Sequence, residues 1–163
     1  MKYLFVFFLL TVSVFSQNLF RTLENTEYKT TYPSYIVENN IIYTTNPNTG
    51  YKDKILFYVK DYKIFTNNSY SNYSEKCVYV FSNDKIYVPS QVNSEIYDKC
   101  IFIIEDNKIF RCENGQKGRC VYIIEKDIVY NVNTNGYKHQ AIFVIDGYIQ
   151  KIPLITILID IIY

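Results

Sequence analysis

The residues of this 163-residue chain whose types and spacing could do chemistry are four cysteines, one histidine and two glycosylation sequons. Cys77, Cys100, Cys112 and Cys120 follow one another at intervals of 23, 12 and 8 residues. A zinc site needs paired thiolate or imidazole ligands at short spacing, but there is no C-x-x-C and His139 is the sole histidine. The cysteines therefore read as two disulfides of an oxidising compartment, with no metal and no cofactor implied. Asn67-Asn68-Ser69 and Asn72-Tyr73-Ser74 are acceptor sequons in the most polar stretch of the chain, so Asn67 and Asn72 are the expected glycosylation sites.

Motifs of known catalytic mechanics are missing. Neither G-x-S-x-G nor a phosphate-binding glycine loop occurs, and one histidine cannot supply H-E-x-x-H. His139, in the polar run Tyr137 to Gln140, reads as a surface residue. Asp61, Asp84, Glu105 and Asp106 could in principle act as paired carboxylates, which are recognised by separation in space. All four fall in expected turns, so no catalytic residue is assigned.

The elements that position these residues come from an internal repeat. Ile55 to Val59, Cys77 to Phe81, Cys100 to Ile104, Cys120 to Ile124 and Ala141 to Ile145 align with an aromatic third residue, and Tyr35-Ile36-Val37 is a weaker first copy. These aromatics, Tyr35, Phe57, Tyr79, Phe102, Tyr122 and Phe143, are spaced by 22, 22, 23, 20 and 21 residues. Eight residues after each of the first five stands a second aromatic, Tyr43, Phe65, Tyr87, Phe110 or Tyr130, always preceded by an aliphatic residue. Short β-branched and aromatic runs on both sides of a polar break mark β-hairpins. The expectation is an all-β chain of six tandem hairpin repeats of about 22 residues. They would form a closed or strongly coiled antiparallel sheet: a trefoil-like barrel, a sandwich or a propeller-like array.

The even interval of eight implies an odd loop, here of three residues such as Glu105-Asp106-Asn107. Such loops end in a left-handed residue, expected at Asn107, and this register sets Phe102 opposite Phe110. It also sets Cys100 opposite Cys112, which leaves Cys77 for Cys120. The other open pairing joins Cys112 to Cys120 across Glu113 to Arg119 and Cys77 to Cys100. Either set demands strong curvature or closure, because in a flat sheet the remaining pair lies beyond the reach of a disulfide.

At the N-terminus Lys2 precedes the apolar run Tyr3 to Leu10, and Val14 and Ser16 supply compact side chains before a cut after Ser16. Residues 1–16 read as a secretory signal peptide, too short to span a bilayer, and residues 17–32 as an N-terminal segment. Residues 33–163 form the repeat domain, whose apolar end, Leu154 to Tyr163, reads as a buried final strand. An anchor signal is the competing reading of that end, which Asp160 spoils. Without Lys2 the mature chain balances its basic side chains against 16 acids. It has no cationic block, which argues against nucleic acid and anionic membrane as partners.

The functional expectation is a secreted recognition or structural module for an extracellular glycan or protein, with exposed tyrosines such as Tyr28, Tyr32, Tyr70, Tyr73 and Tyr137 as contacts. A small secreted enzyme using loop carboxylates is one alternative. An inhibitor presenting the 112–120 loop through Lys117 or Arg119 is the other.

Overall fold

A computed structural model describes residues 16–24, 26–66, 76–89 and 97–162. Twelve antiparallel strands run in order around a closed barrel. They are β1 (Gln17–Arg21), β2 (Tyr35–Glu38), β3 (Ile41–Thr45), β4 (Lys52–Lys60), β5 (Lys63–Thr66) and β6 (Lys76–Ser82). Then follow β7 (Lys85–Pro89), β8 (Tyr97–Glu105), β9 (Lys108–Glu113), β10 (Gln116–Glu125), β11 (Ile128–Val132) and β12 (Lys138–Asp146). Among the described residues one helix, α1 (Lys151–Ile162), follows β12. The antiparallel sheet is therefore closed, with all twelve strands in sequence order in its wall.

Closure depends on the segment that the sequence left outside the repeat. The sixth copy, Ala141 to Ile145, has no second half after it, and β1 takes that place from the other end of the chain. Leu19 pairs with Ile145 and Phe20 with Val144. The same register holds Ile109 against Ile104 and Phe110 against Ile103 within the β8–β9 hairpin. On its other side Leu19 faces Tyr35, as Ile109 faces Tyr122. Residues 17–21 are thus the missing half-hairpin, an aliphatic-aromatic pair like the other five.

The registers stack the inward side chains in three tiers. Nearest the hairpin tips are Val37, Val59, Phe81, Ile104, Ile124 and Ile145, each paired with a middle-tier residue of the next strand. The middle tier, Leu19, Ile42, Ile64, Ile86, Ile109 and Val129, is 0–2% exposed. Opposite each of these on its other side stands the third-place aromatic of a repeat: Tyr35, Phe57, Tyr79, Phe102, Tyr122 or Phe143. The second aromatics fall on the outer wall.

That division overturns the three-residue loops. Glu38 pairs with Ile41, Lys60 with Lys63, Ser82 with Lys85, Glu105 with Lys108 and Glu125 with Ile128, so every tip has two residues. Left-handed φ occurs at both central residues of Asn39-Asn40, Asp61-Tyr62 and Asn83-Asp84. Such primed turns match the right-handed strand twist better than turns with negative φ. In the fourth tip the left-handed residue is Asp106 (φ 52°), not Asn107. Phe102 accordingly faces Arg111, with Phe110 on the opposite face of the sheet.

A bulge recurs at the second residue of five of the six motif copies. Ile42 pairs with Phe57 but Tyr43 with Ile55, so Leu56 is extra, and Val78, Ile101, Val121 and Ile142 are extra in the same way. A bulge bends its strand and increases local twist, and repetition around the wall provides the coiling that closure needs.

The expected C-terminal strand is a helix, and closure explains why. Once β1 has sealed the seam, no strand edge remains inside the lumen to accept another strand. A segment buried there must satisfy its own backbone groups, which a helix does. Pro153 lies in the first turn, where its missing N–H costs nothing. Residues Pro153 to Ile159 are buried on every face, which identifies a helix surrounded by other structure. Their companions in the core come from strands all around the wall, among them Leu19, Ile42, Ile64, Ile86, Ile109 and Val129. The helix therefore fills the barrel. Thr156, buried among them, donates its hydroxyl to the Ile152 carbonyl at 2.8 Å.

Tyr62 gives a direct test of the turn geometry. It is 65% exposed, and its φ is 61°, a region that costs most L-residues about 1 kcal/mol or more but that asparagine tolerates. Tyr62→Asn is expected to raise the melting temperature by about 2–4 °C. A lowered melting temperature would contradict the two-residue turn.

Candidate functional site

The hairpin tips crowd one end of the barrel, where α1 enters and Lys151 pairs with Asp84 at 2.6 Å. At the far end α1 terminates in Asp160, Ile161 and Ile162, and the rim carries a groove of about 760 Å³. Three segments build it: the end of β1 with Arg21, the link Thr30 to Ser34 leading into Tyr35, and the end of β3 with Thr44, Thr45 and Asn48.

Local bonds hold this groove open. The Thr45 hydroxyl donates to the Pro33 carbonyl, tying the link to β3. Asn46 organises the turn beyond β3: its side chain accepts from the Asn48 N–H at 2.9 Å and its carbonyl from the Gly50 N–H at 2.8 Å. Gly50, at φ 73°, lies against Tyr32 so closely that a Cβ there would stand 2.8 Å from the ring's Cδ1. No other residue suits that position. Tyr32 is thereby propped from one side and remains 41% exposed.

The electrostatics of the mouth centre on Tyr35 and Arg21. Burial, reinforced by the charge of Asp160, pushes the Tyr35 phenol above its usual range, while Arg21 opposes both through charge and a hydrogen bond. Burial likewise raises the Asp160 carboxyl.

The sequence-predicted residues are dispersed. His139 is exposed on β12, where a smaller outer-wall recess includes Glu27 and Tyr130. The Tyr130 hydroxyl donates to Glu27 at 2.7 Å, and burial followed by this bond raises its pKa. Asp61 and Asp106 occupy tips with left-handed φ, and Glu105 pairs with Lys117. Lys117 also lies 4.9 Å from the centre of the Phe110 ring. Three further lysines do the same on outer aromatics: Lys29 on Phe20, Lys52 on Tyr43 and Lys138 on Tyr130. The 112–120 segment is a hairpin rather than a loop, turning at Asn114-Gly115 with φ 51° and 78°. Asn67 and Asn72 lie outside the described residues, as do residues 1–15 of the signal segment. Among the described residues, no three metal-ligating side chains lie together and no helix is long and apolar enough to cross a membrane.

Cys100 and Cys112 form a disulfide with Cα atoms 5.7 Å apart. Counted on from the Phe102–Arg111 pair, a regular ladder would set Cys100 level with Glu113, yet it bonds to Cys112, one residue nearer the tip. The companion bridge, Cys77 with Cys120, is not formed. These thiols lie on β6 and β10 with three strands between them, roughly 19 Å along the sheet at normal strand spacing. Burial raises both thiol pKa values. Non-reducing peptide mapping should therefore recover the Cys100–Cys112 cross-link and alkylated Cys77 and Cys120. A Cys77–Cys120 peptide would refute this strand order.

Arg21 and the Tyr32–Gly50 contact escaped the sequence reading, although Tyr32 itself was a candidate contact. The signal for β1 was present in Leu19-Phe20, which repeats the aliphatic-aromatic pair of the second half-hairpins. No protein family, no curated protein and no solved structure matches the chain.

Proposed function

We propose that this chain is a secreted, non-catalytic recognition module that binds an extracellular glycan or protein at the far-end groove. The observation that carries this reading is the groove itself. An exposed tyrosine, a guanidinium and several hydroxyls converge on a surface held by Gly50, Asn46 and Thr45, on a barrel whose core is filled. Binding sites combine a preformed concavity with a few convergent polar groups, and this volume lies within the usual range of about 300–1,000 Å³. Secretion is supported by the layout of residues 1–16 and by the sequons at Asn67 and Asn72.

The test is expression in a eukaryotic secretory host, followed by binding to arrays of glycans and extracellular proteins. The expected result is a glycosylated product in the medium that starts near Gln17 and retains a ligand without altering it. Tyr32→Ala should weaken that retention. Intracellular accumulation with residues 1–16 attached, or binding indifferent to Tyr32, would refute the proposal.

A further inference from the structure

We infer that the far-end groove selects saccharides bearing a carboxylate, with Arg21 receiving the acid and Tyr32 supporting the sugar ring; this rests on the recognition reading above. Of the side chains that line the groove, Arg21 alone carries a formal charge. Arg21 is exposed and, among the described residues, engaged by no carboxylate. A guanidinium presents a planar fork of donors that matches a carboxylate in two parallel bonds.

The hydroxyls define the rest of the ligand. Thr30 donates its proton to the Tyr32 carbonyl at 2.9 Å, and Thr45 donates to the Pro33 carbonyl. What these oxygens offer a ligand is lone pairs, so the ligand must bring donors of its own. Asn48, Arg21 and the hydroxyls of Thr31 and Ser34 can supply donors on the protein side. A molecule with several hydroxyls and one carboxylate satisfies both sets, whereas a purely anionic ligand leaves the threonine oxygens without donors. The apolar face of a pyranose suits the open side of Tyr32, an aromatic surface with a polar tip. Gly50 is the positioning residue that keeps the ring there.

The experiment is calorimetric titration of the mature, glycosylated protein with oligogalacturonate and its methyl ester, and with sialyllactose and lactose, which separates uronic from sialic acids as the source. The acid of one pair should bind roughly tenfold or more tightly than its neutral counterpart. Arg21→Gln should erase that preference, Arg21→Lys should retain part of it, and Tyr32→Ala should weaken acid and neutral forms alike. Tyr148→Ala, exposed elsewhere, should change nothing. Equal binding of acid and neutral forms, or an acid preference that survives Arg21→Gln in a protein that melts normally, overturns the inference and leaves the recognition reading standing. Binding to an extracellular protein with no saccharide bound overturns it in favour of a protein ligand. Absence of binding to every glycan and protein overturns both.

Discussion

Ending the chain after Gln150 is expected to abolish cooperative unfolding. Leu154, Ile155, Ile157, Leu158 and Ile159 are buried side chains of α1, each contributing about 1.5–3 kcal/mol on burial. Together they amount to roughly 8–15 kcal/mol, comparable to the whole stability of a typical domain. Their loss would also uncover the three tiers of the lumen. The same reasoning makes Ile157→Asp severe, because a carboxylate would have to be buried without a cation in sight. Lys151→Ala should cost less than about 1 kcal/mol, since the pair it makes with Asp84 is exposed to solvent. Denaturant titration followed by circular dichroism distinguishes these outcomes. A truncated chain that melts like the full-length protein would show that α1 is an appendage.

The second large effect belongs to β1. Leu19→Ala removes a fully buried middle-tier side chain and is expected to cost about 2–5 kcal/mol. Deleting Gln17 to Arg21 should do more, because β12 and β2 would then both expose unpaired edges. The expected product is unfolded, or dimeric through a strand borrowed from a second copy. Leu23→Ala, two residues beyond β1 on an exposed side chain, should be nearly neutral. A monomeric deletion variant with unchanged stability would refute closure by β1. The position of the strand also bears on processing: a cut after Ser16 would leave Gln17, the first residue of β1, as the new N-terminus.

Much of the wall was legible because its signal is local. A five-residue motif with an aromatic third place recurs at nearly constant spacing, and alternation of inward and outward residues follows from strand geometry. Register was misread because an even interval between aromatics was taken to mean that they face each other across the hairpin. Two-residue tips put Phe102 and Phe110 on opposite faces, yet Cys100 still bonds to Cys112, so the right disulfide was reached through the wrong turn. Paired Asn and Asp at Asn39-Asn40 and Asn83-Asp84, and Asn114-Gly115, were the available evidence for two-residue turns. The C-terminal helix was hidden for a different reason. Short apolar runs rich in isoleucine fit strand and buried helix equally, and only closure of the wall removes the strand option. The groove joins Arg21, Tyr32 and Asn48 through barrel topology, which no local pattern announces.

Hydrogen exchange of the protein tests the filled and closed barrel most directly, because it reads α1 and β1 in one measurement. The amides of Ile155 to Ile159 and of β1 residues Asn18 to Arg21 that bond to β2 or β12 should exchange as slowly as those of the central strands β8 to β10, all by global unfolding. Rapid exchange along α1 or β1 while β8 to β10 stay protected would contradict it.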